Sequence, residues 1–215
     1  MVLKREKTGN RRIVKLFGKP LFSYWAGRRV YTKAIGIGNT IENHFCRCKV
    51  EIFGNNNKVI FGEVVEDFVG SIQIGARDCH VDDCIVKIGR GTTSNGCHIV
   101  CMENGSEVEI GDDCLISDGV EMWCSDTHTL IDSCGEITNA GSHHIKIGNH
   151  VWICQNVTIL KDVTIAADSV VGMRSLVTRS CVDTHVVLGG IPARIIKEGI
   201  SWNKCRPQCA REGLL

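Results

Sequence analysis

The chain has 215 residues, of which 43% are hydrophobic and 23% are charged, and its formal net charge is +1. This composition is typical of a globular protein and gives no overall sign of nucleic-acid binding, and no apolar run approaches the roughly 20 residues that cross a bilayer. Because the N-terminal sequence MVLKREKTGNRR also lacks the apolar stretch of a signal peptide, we expect a cytoplasmic protein.

Residues 1–34 form a basic N-terminal segment. Its first 33 residues hold ten Lys or Arg side chains against a single acid, Glu6. Such a patch attracts a polyanion or the anionic face of a membrane, or it serves only as a solubilising arm. We therefore expect at most a peripheral association with membranes and no nucleic acid as a partner.

Short alternating runs follow, and four of them end in the pair Ile-Gly: SIQIG, IVKIG, EVEIG and HIKIG. Alternation of apolar and polar residues predicts short strands with one buried face, and the glycines mark corners where the backbone turns. From residue 145 the spacing becomes regular, with an apolar residue at every sixth position: Ile147, Ile153, Ile159, Ile165, Val171 and Val177.

A six-residue repeat matches neither the 3.6-residue period of an α-helix nor the two-residue period of a flat strand. Each unit offers one large aliphatic side chain and, four positions later, a small or β-branched one. One such unit cannot bury its apolar face alone, whereas a stack of units builds a continuous core. The repeat therefore predicts a solenoid of short parallel strands that meet at repeated corners, in the shape of a prism.

The pattern Ile/Val-Gly-x-x-small-x resembles the hexapeptide-repeat family of acyltransferases over about residues 35–195. The resemblance implies an all-β fold, a left-handed parallel β-helix of triangular cross-section that occupies residues 35–197. It also implies a homotrimer with each active site between two prisms. We expect the C-terminal tail, residues 198–215, to leave the prism as a short helix, so that helical segments are confined to the termini.

The repeat is interrupted once. It runs through Met122 and returns only at Ile147, which predicts an inserted loop at about residues 124–144. Long loops on a regular scaffold usually carry function. The loop begins with Ser-Asp-Thr-His, and the resemblance implies that its histidine, His128, is the catalytic base of a direct acetyl transfer.

A histidine suits general-base catalysis because imidazole is mostly unprotonated near neutral pH. Taken alone, His128 is also compatible with an ordinary surface position. Asp126 either orients its ring or caps a turn. The later histidines of the loop, His143 and His144, are more consistent with rim or subunit contacts than with catalysis, and His150 is expected at an exposed corner.

After the loop, the stretch IGNHVWICQNVTI resembles the donor-binding segment of the family. The resemblance implies that Trp152 is a catalytic and donor-site residue whose ring lies near the reacting thioester and excludes water. A tryptophan that only covers the outer face of the prism is the alternative. Farther on, VVGMRSLVTR and LGGIPARIIK resemble the segments that hold the pantetheine arm and the phosphates of acetyl-CoA. The implied cofactor-binding residues are Trp152, Gln155, Gly172, Met173, Arg174, Thr178, Arg179 and Arg194.

Thirteen cysteines raise the question of a metal site or a disulfide framework. No C-x-x-C pair occurs, and no export signal supports disulfides. We interpret most of the cysteines as small core residues in a reducing compartment and expect no metal. A metal-dependent carbonic anhydrase on the same prism is an alternative, with His80 and His98 as candidate ligands, although no ligand-type spacing supports it.

Within the family the sequence is most similar to bacterial capsule O-acetyltransferases, including those that act on sialic-acid polymers. The similarity lies in the length, the GNNNKVIFG stretch at residues 54–62, the SDTH loop and the 24-residue step from His128 to Trp152. It implies acetylation of a sugar hydroxyl in a surface polysaccharide, with the basic N-terminal segment suited to a polyanionic acceptor. The alternatives are an acetyltransferase for a galactoside, serine or an antibiotic, and a scaffold subunit without chemistry.

Overall fold

The structure is a computed structural model that describes residues 31–44, 46–63, 65, 67–205 and 207, together with the backbone of four strands in the first 29 residues. Short strands are wound into coils along most of the chain, and the N-terminal segment forms a sheet of its own. Within the described residues no helix is long and apolar enough to cross a membrane.

The basic N-terminal segment forms an antiparallel sheet of four strands: β1 (Leu3–Thr8), β2 (Arg11–Leu16), β3 (Lys19–Trp25) and β4 (Arg28–Arg29). The expectation that the terminal segments are helical is therefore wrong at this end of the chain. Runs such as RRIVKL and PLFSYW combine β-branched and aromatic residues, which favour strands over helices.

The remaining strands build three faces of a prism. Face 1 contains β6 (Thr40–Glu42), β8 (Lys58–Phe61), β10 (Ile85–Ile88), β12 (Glu107–Ile110), β15 (His144–Ile147) and β18 (Val163–Ile165). Face 2 contains the beginning of β11 (Thr93–Cys101), then β13 (Leu115–Ile116), β16 (Trp152–Ile153), β19 (Val170–Val171), β21 (Val187–Gly190) and the antiparallel β22 (Ala193–Lys197). Face 3 contains β5 (Thr32–Ile35), β7 (Arg47–Phe53), β9 (Phe68–Ile74), the end of β11, β14 (Val120–Cys124), β17 (Thr158–Leu160) and β20 (Leu176–Val177).

Each coil takes one strand from each face, and successive coils pair in parallel. Ile147 on face 1 pairs with Ile165, and Ile153 on face 2 pairs with Val171, in both cases eighteen positions later. Three hexapeptides therefore make one coil. The expected left-handed parallel β-helix is confirmed.

The repeated aliphatic residues point into the prism. The six side chains that set the repeat are between 0% and 3% exposed: Ile147, Ile153, Ile159, Ile165, Val171 and Val177. Stacked at the strand spacing of about 4.8 Å, they form one continuous apolar column. Burial of this column is the main source of stability, since no single coil has a core of its own.

Most of the cysteines belong to the same core, as expected. Eight of them are buried: Cys46, Cys48, Cys84, Cys97, Cys101, Cys114, Cys124 and Cys181. Burial raises the pKa of the Cys84 and Cys114 thiols to about 11, so these groups stay protonated and inert near neutral pH. All the cysteines that the structure describes are free thiols.

The corners require a left-handed backbone conformation. At the edge between faces 1 and 2, Asp113, His150 and Asp168 have φ values of 56°, 54° and 59°. Small polar residues tolerate this region best, because a short side chain can bond locally to the backbone. At the edge between faces 2 and 3, Arg174 has a φ of 57°, in a position for which glycine is the easiest residue.

Residues 198–205 of the C-terminal tail are not helical, whereas residue 207, the last described residue, is helical. The part that is not helical returns along the prism. Ile200 N–H donates to the His185 carbonyl, the Trp202 indole N–H donates to the His150 carbonyl at 2.8 Å, and Lys204 Nζ donates to the Gly91 carbonyl at 3.0 Å. These tertiary bonds hold the tail extended. Residues 206 and 208–215 lie outside the described part of the chain.

Candidate active site

One long excursion leaves the prism at the edge between faces 3 and 1. β14 ends at Cys124 and β15 begins at His144, so residues 125–143 replace the two-residue corner that joins these faces in the next coil. The excursion is a short hairpin in which Ile131 and Ile137 form an antiparallel bridge. Three of its aliphatic side chains are exposed: Leu130, Ile131 and Ile137.

Both ends of the excursion are tied to the coil that precedes it. Ser125 Oγ donates to Glu103 Oε1 at 2.7 Å, and His143 N–H donates to Ser106 Oγ at 3.4 Å. Glu103 and Ser106 belong to the same corner, so one turn of the prism holds the beginning and the end of the insertion. The other oxygen of Glu103 is buried and has no partner among the described residues.

The coil that follows the excursion holds the same two ends from the other side. Lys161 Nζ lies 2.5 Å from Asp126 Oδ2, and His143 Nδ1 lies 3.0 Å from Asp162 Oδ2. His144 Nδ1 lies 3.5 Å from the other oxygen of Asp162. The excursion is thus fixed at its base between two consecutive turns of a rigid solenoid, a placement that suits a catalytic group.

His128 lies just beyond this base and is exposed. Its N–H donates to the Asp126 carbonyl at 2.7 Å, which closes a three-residue turn around Thr127. Thr127 has a φ of 60°, an unfavourable conformation for a β-branched residue. Within the part of the chain that the structure describes, the imidazole ring makes no hydrogen bond, ion pair or aromatic ring contact, so the position of the ring depends strongly on the main chain.

Asp126 does not orient the imidazole. Its carboxylate is occupied by Lys161 and by the amide of Asn139, and these two hydrogen bonds, Lys161 first, lower the pKa of Asp126. Asp126 is therefore ionised near neutral pH and acts as an anchor at the base of the excursion. The structure shows neither of the two roles considered for Asp126, because the recorded partners of its carboxylate are the side chains of Lys161 and Asn139.

His143 is largely buried, with 9% of its side chain exposed. Its Nδ1 faces Asp162, whereas its Nε2 is buried without a partner among the described residues. His144 is more exposed, at 45%. Both side chains therefore brace the end of the excursion, and neither has the exposure of His128.

Trp152 lies on face 2, on the outer side of β16, away from the edge that carries His128. The tail covers it, since the rings of Trp152 and Trp202 lie 6.0 Å apart and Trp202 stacks on His150 at 4.2 Å. The indole N–H of Trp152 is buried and has no partner among the described residues. An unsatisfied buried donor is costly, and it fits a site where a ligand or a second chain supplies an acceptor.

Four of the predicted donor-site residues meet at the edge between faces 2 and 3. Gln155 and Arg174 lie on consecutive coils, and the Arg174 N–H donates to the Gln155 carbonyl at 3.0 Å. Met173, beside Arg174, is 62% exposed. The Gly172 N–H donates to the Leu188 carbonyl, and its own carbonyl accepts from the Ser175 hydroxyl at 2.7 Å. The Ser175 N–H donates to the same carbonyl at 3.3 Å, so the main chain of Gly172 holds the corner together and both of its polar groups are already engaged.

The last coil contains a cavity of about 480 Å³ lined by two of the predicted phosphate-binding residues, Arg179 and Arg194. Thr178, adjacent to Arg179, is exposed. Arg179 follows Lys161 by eighteen positions, so both cations lie at the edge from which the excursion departs. Two guanidinium groups beside an open cavity fit a phosphate-bearing ligand, because arginine donates bidentate hydrogen bonds to such groups.

The described residues contain no group of three or more His, Cys, Asp or Glu side chains that could hold a metal ion. His98, a candidate ligand for the alternative of a carbonic anhydrase, lies with its Nδ1 2.9 Å from Glu121 Oε2. The Trp123 indole N–H donates to the same carboxylate oxygen at 3.1 Å. This half-exposed cluster lies on the outer side of face 3.

Three residues that matter for the site were missed from the sequence. Lys161 was detectable, because it occupies the repeat position eighteen residues before Arg179. Asn139 carries no local signal, since a loop asparagine has many uses. Trp202 was visible only as a tryptophan in an otherwise polar tail, and its contact with His150 joins residues 52 positions apart.

Comparison with known proteins gives results for both the repeat and the overall fold. The family of bacterial transferase hexapeptide repeats (six repeats) matches residues 144–179. No curated protein sequence matches significantly. Among solved structures, the polySia-specific acetyltransferase NeuO is 27% identical, with 86% of this chain and 97% of NeuO covered and a TM-score of 0.63. The polysialic acid O-acetyltransferase OatWY is 29% identical, with 83% and 93% covered and a TM-score of 0.65.

Proposed function

We propose that this chain is a hexapeptide-repeat acetyltransferase that transfers the acetyl group of acetyl-CoA to a sugar hydroxyl of a bacterial surface polysaccharide. The observation that carries the proposal is the exposed His128, held by its main chain on an excursion between two rigid coils. The similarity to NeuO and OatWY, both acetyltransferases, extends over more than four-fifths of the chain. It supports acetyl transfer as the reaction of this chain.

In this mechanism His128 is the general base. Its neutral imidazole accepts the proton of the acceptor hydroxyl as the oxygen forms a bond to the acetyl carbon. The imidazolium then returns that proton to the departing sulfur, so that protons and charge balance over one turnover. A positioned general base accelerates such a step by about 10²- to 10⁴-fold.

Acetyl-CoA supplies the acetyl group as an activated thioester, and the residues suited to hold it are those already placed around the prism. Arg179 and Arg194 are the candidates for its phosphates, because they share one cavity. Gln155, Met173 and Arg174 are exposed along one edge and offer a surface for the pantetheine arm. Trp152 offers an apolar ring and an unpartnered N–H.

We propose a homotrimer in which each active site lies between two protomers, because His128 and Trp152 lie on different sides of the prism. In one protomer His128 lies at the edge between faces 3 and 1, whereas Trp152 lies on face 2. A second prism brings the face of one subunit against the edge of another. We place this trimer in the cytoplasm, a reducing compartment in which free and buried thiols persist.

We propose a sialic-acid polymer as the acceptor. Both solved relatives act on polysialic acid according to their descriptions, and this chain matches nearly the whole length of each. A polyanionic acceptor also agrees with the excess of positive charge in residues 1–34. Association would then weaken as the ionic strength rises.

Acceptor profiling with radiolabelled acetyl-CoA tests the proposal. The purified full-length protein is incubated with polysialic acid, a neutral dextran, a galactoside and serine, and label in the polymer is counted before and after mild alkali. We expect label on polysialic acid that alkali removes, as for an ester. Labelling of only the neutral acceptors would refute the polysaccharide assignment, and no labelling of any acceptor would refute the activity.

The His128→Ala variant tests the mechanism in the same assay. We expect kcat to fall by about 10²- to 10⁴-fold, while the thermal midpoint stays within about 2 °C because the side chain is exposed and has no hydrogen-bond, ion-pair or ring partner among the described residues. Full activity in this variant would rule out His128 as the base. A matched control is His185→Ala, a histidine near the tail, for which we expect wild-type kcat.

A further inference from the structure

A single side chain, Asn139, closes the base of the excursion. Its Nδ2 group donates to Asp126 Oδ2 at 3.0 Å and to the His128 carbonyl at 2.8 Å, and its Oδ1 accepts the Leu130 N–H at 2.8 Å. Two acceptors on one side and a donor on the other fix which end of the amide is nitrogen. One residue of the returning arm therefore holds three residues of the outgoing arm.

The contact matters because, among the described residues, the His128 ring makes no hydrogen bond, ion pair or aromatic ring contact that could orient it. The residue before it, Thr127, adopts an unfavourable backbone conformation at a φ of 60°. Such a conformation persists only where the surroundings over-determine it. The carbonyl of His128 is held by Asn139 and its N–H by the Asp126 carbonyl, so both main-chain polar groups are fixed.

The clamp is also anchored to the prism. Asp126, which accepts one of the Asn139 bonds, pairs with Lys161 at 2.5 Å, and Lys161 lies in the corner between β17 and β18. The chain of contacts thus runs from the rigid solenoid through Lys161, Asp126 and Asn139 to the main chain of His128. Displacement of a reacting group by about 1 Å can cost 100-fold in rate, so such a chain has a direct catalytic consequence.

We infer that Asn139 is a positioning residue for His128: it binds the main chain at His128 and Leu130 and the carboxylate of Asp126, and thereby fixes the point at which the imidazole meets the acceptor hydroxyl. The inference rests on the proposed function, since it assigns a role relative to His128. It assigns Asn139 no contact with acetyl-CoA or with the acceptor. Its loss should therefore lower kcat and leave the KM for acetyl-CoA unchanged.

The first test compares two variants of the same hairpin. Asn139→Ala removes the clamp at the base, whereas Asp132→Ala loosens the tip, where Asp132 Oδ1 accepts the N–H groups of Cys134 and Glu136. We expect kcat to fall by about 10- to 100-fold in Asn139→Ala, with the KM for acetyl-CoA changed by less than threefold, and to stay within twofold of wild type in Asp132→Ala. Equal losses in both variants would mean that the hairpin matters only as a whole, and the inference would be wrong.

A nearly isosteric change separates the hydrogen bonds from the volume of the side chain. Asn139→Asp keeps an acceptor for the Leu130 N–H but loses both donated bonds and places a second carboxylate beside Asp126. We expect its kcat to fall as far as that of Asn139→Ala. Wild-type kcat in Asn139→Asp would contradict the clamp, because the two donated bonds are its essential part.

A double-mutant cycle shows whether Asn139 acts through His128. In the His128→Ala background we expect Asn139→Ala to change the residual rate by less than twofold, because no base remains to be placed. A further tenfold loss there would overturn the inference. The two proposals fail separately: activity retained in His128→Ala contradicts the proposed mechanism, whereas an inactive His128→Ala with a fully active Asn139→Ala contradicts only the role of Asn139.

Discussion

The substitution Gly111→Ala tests how closely the coils of the prism are stacked. A Cβ atom at Gly111 would lie 2.7 Å from the Asn149 nitrogen and 2.7 Å from the Gly148 carbonyl carbon, both in the backbone of the next coil. Ordinary contacts are at least about 3.4 Å, so the two coils must separate by roughly 0.7 Å at this corner. That movement lengthens the bond from Gly111 N–H to the Ile147 carbonyl and the bond from Asp112 N–H to Asn149, each now 2.9 Å.

We expect the substitution to cost about 2–4 kcal/mol, since overpacking costs about 1–3 kcal/mol and each of the two hydrogen bonds, lengthened but not broken, loses about 0.5 kcal/mol. For a chain of this length the thermal midpoint should fall by about 5–15 °C. The matched control is Gly172→Ala, where the nearest atom, the Leu188 carbonyl oxygen, is 3.2 Å from the added carbon. Circular dichroism melts of both variants measure the difference. A Gly111→Ala midpoint within 2 °C of wild type would refute the close stacking.

Three further predictions concern electrostatics and the tail. Lys161→Met removes the main cause of the lowered pKa of Asp126. A lowered carboxyl pKa stabilises the fold above the ordinary value of 3.8, and this contribution is lost as the pH falls through the lowered pKa; the variant should therefore melt up to about 3 °C lower at pH 7, and its difference from wild type should shrink steadily below pH 3.8. The pair Arg179→Gln and Arg194→Gln should raise the KM for acetyl-CoA about tenfold at low salt and less at high salt; an unchanged KM would exclude these residues from the donor site. Trp202→Ala uncovers the indole on β16, so tryptophan emission should shift to the red and iodide quenching should increase; unchanged quenching would contradict the observed packing.

The sequence predicted the prism well because its core repeats. Ile153 and Val171 lie inside the column and pair across adjacent coils, in agreement with the six-residue spacing. In a solenoid each inward side chain meets its own equivalent in the next coil, so the period of the sequence becomes the geometry of the core. The interruption between Met122 and Ile147 was detectable for the same reason, as a loss of phase.

The tail and the contacts around His128 could not be predicted, because they depend on contacts that do not follow the six-residue repeat. The extended course of residues 198–205 was not foreseen, because Trp202 and Lys204 bond to carbonyls of distant coils, and such long-range bonds override local propensity. The clamp around His128 was equally hidden, since its partner Asn139 lies eleven positions away in a loop of polar residues. The exposure of His128 could be anticipated from its place in a long insertion, whereas the group that fixes it required the three-dimensional structure.

Both ends of the excursion are bonded to neighbouring coils, and this attachment has a consequence for how the protein can evolve. Its two ends are fastened to the corners before and after it, at Ser125 and His143, while β12 and β15 pair directly beneath it as though nothing had been inserted. Doubling the length of the hairpin would therefore cost only about 0.6 kcal/mol in loop entropy and would leave the coil ladder intact. Selection can vary the length and the tip of the hairpin while the scaffold is inherited unaltered.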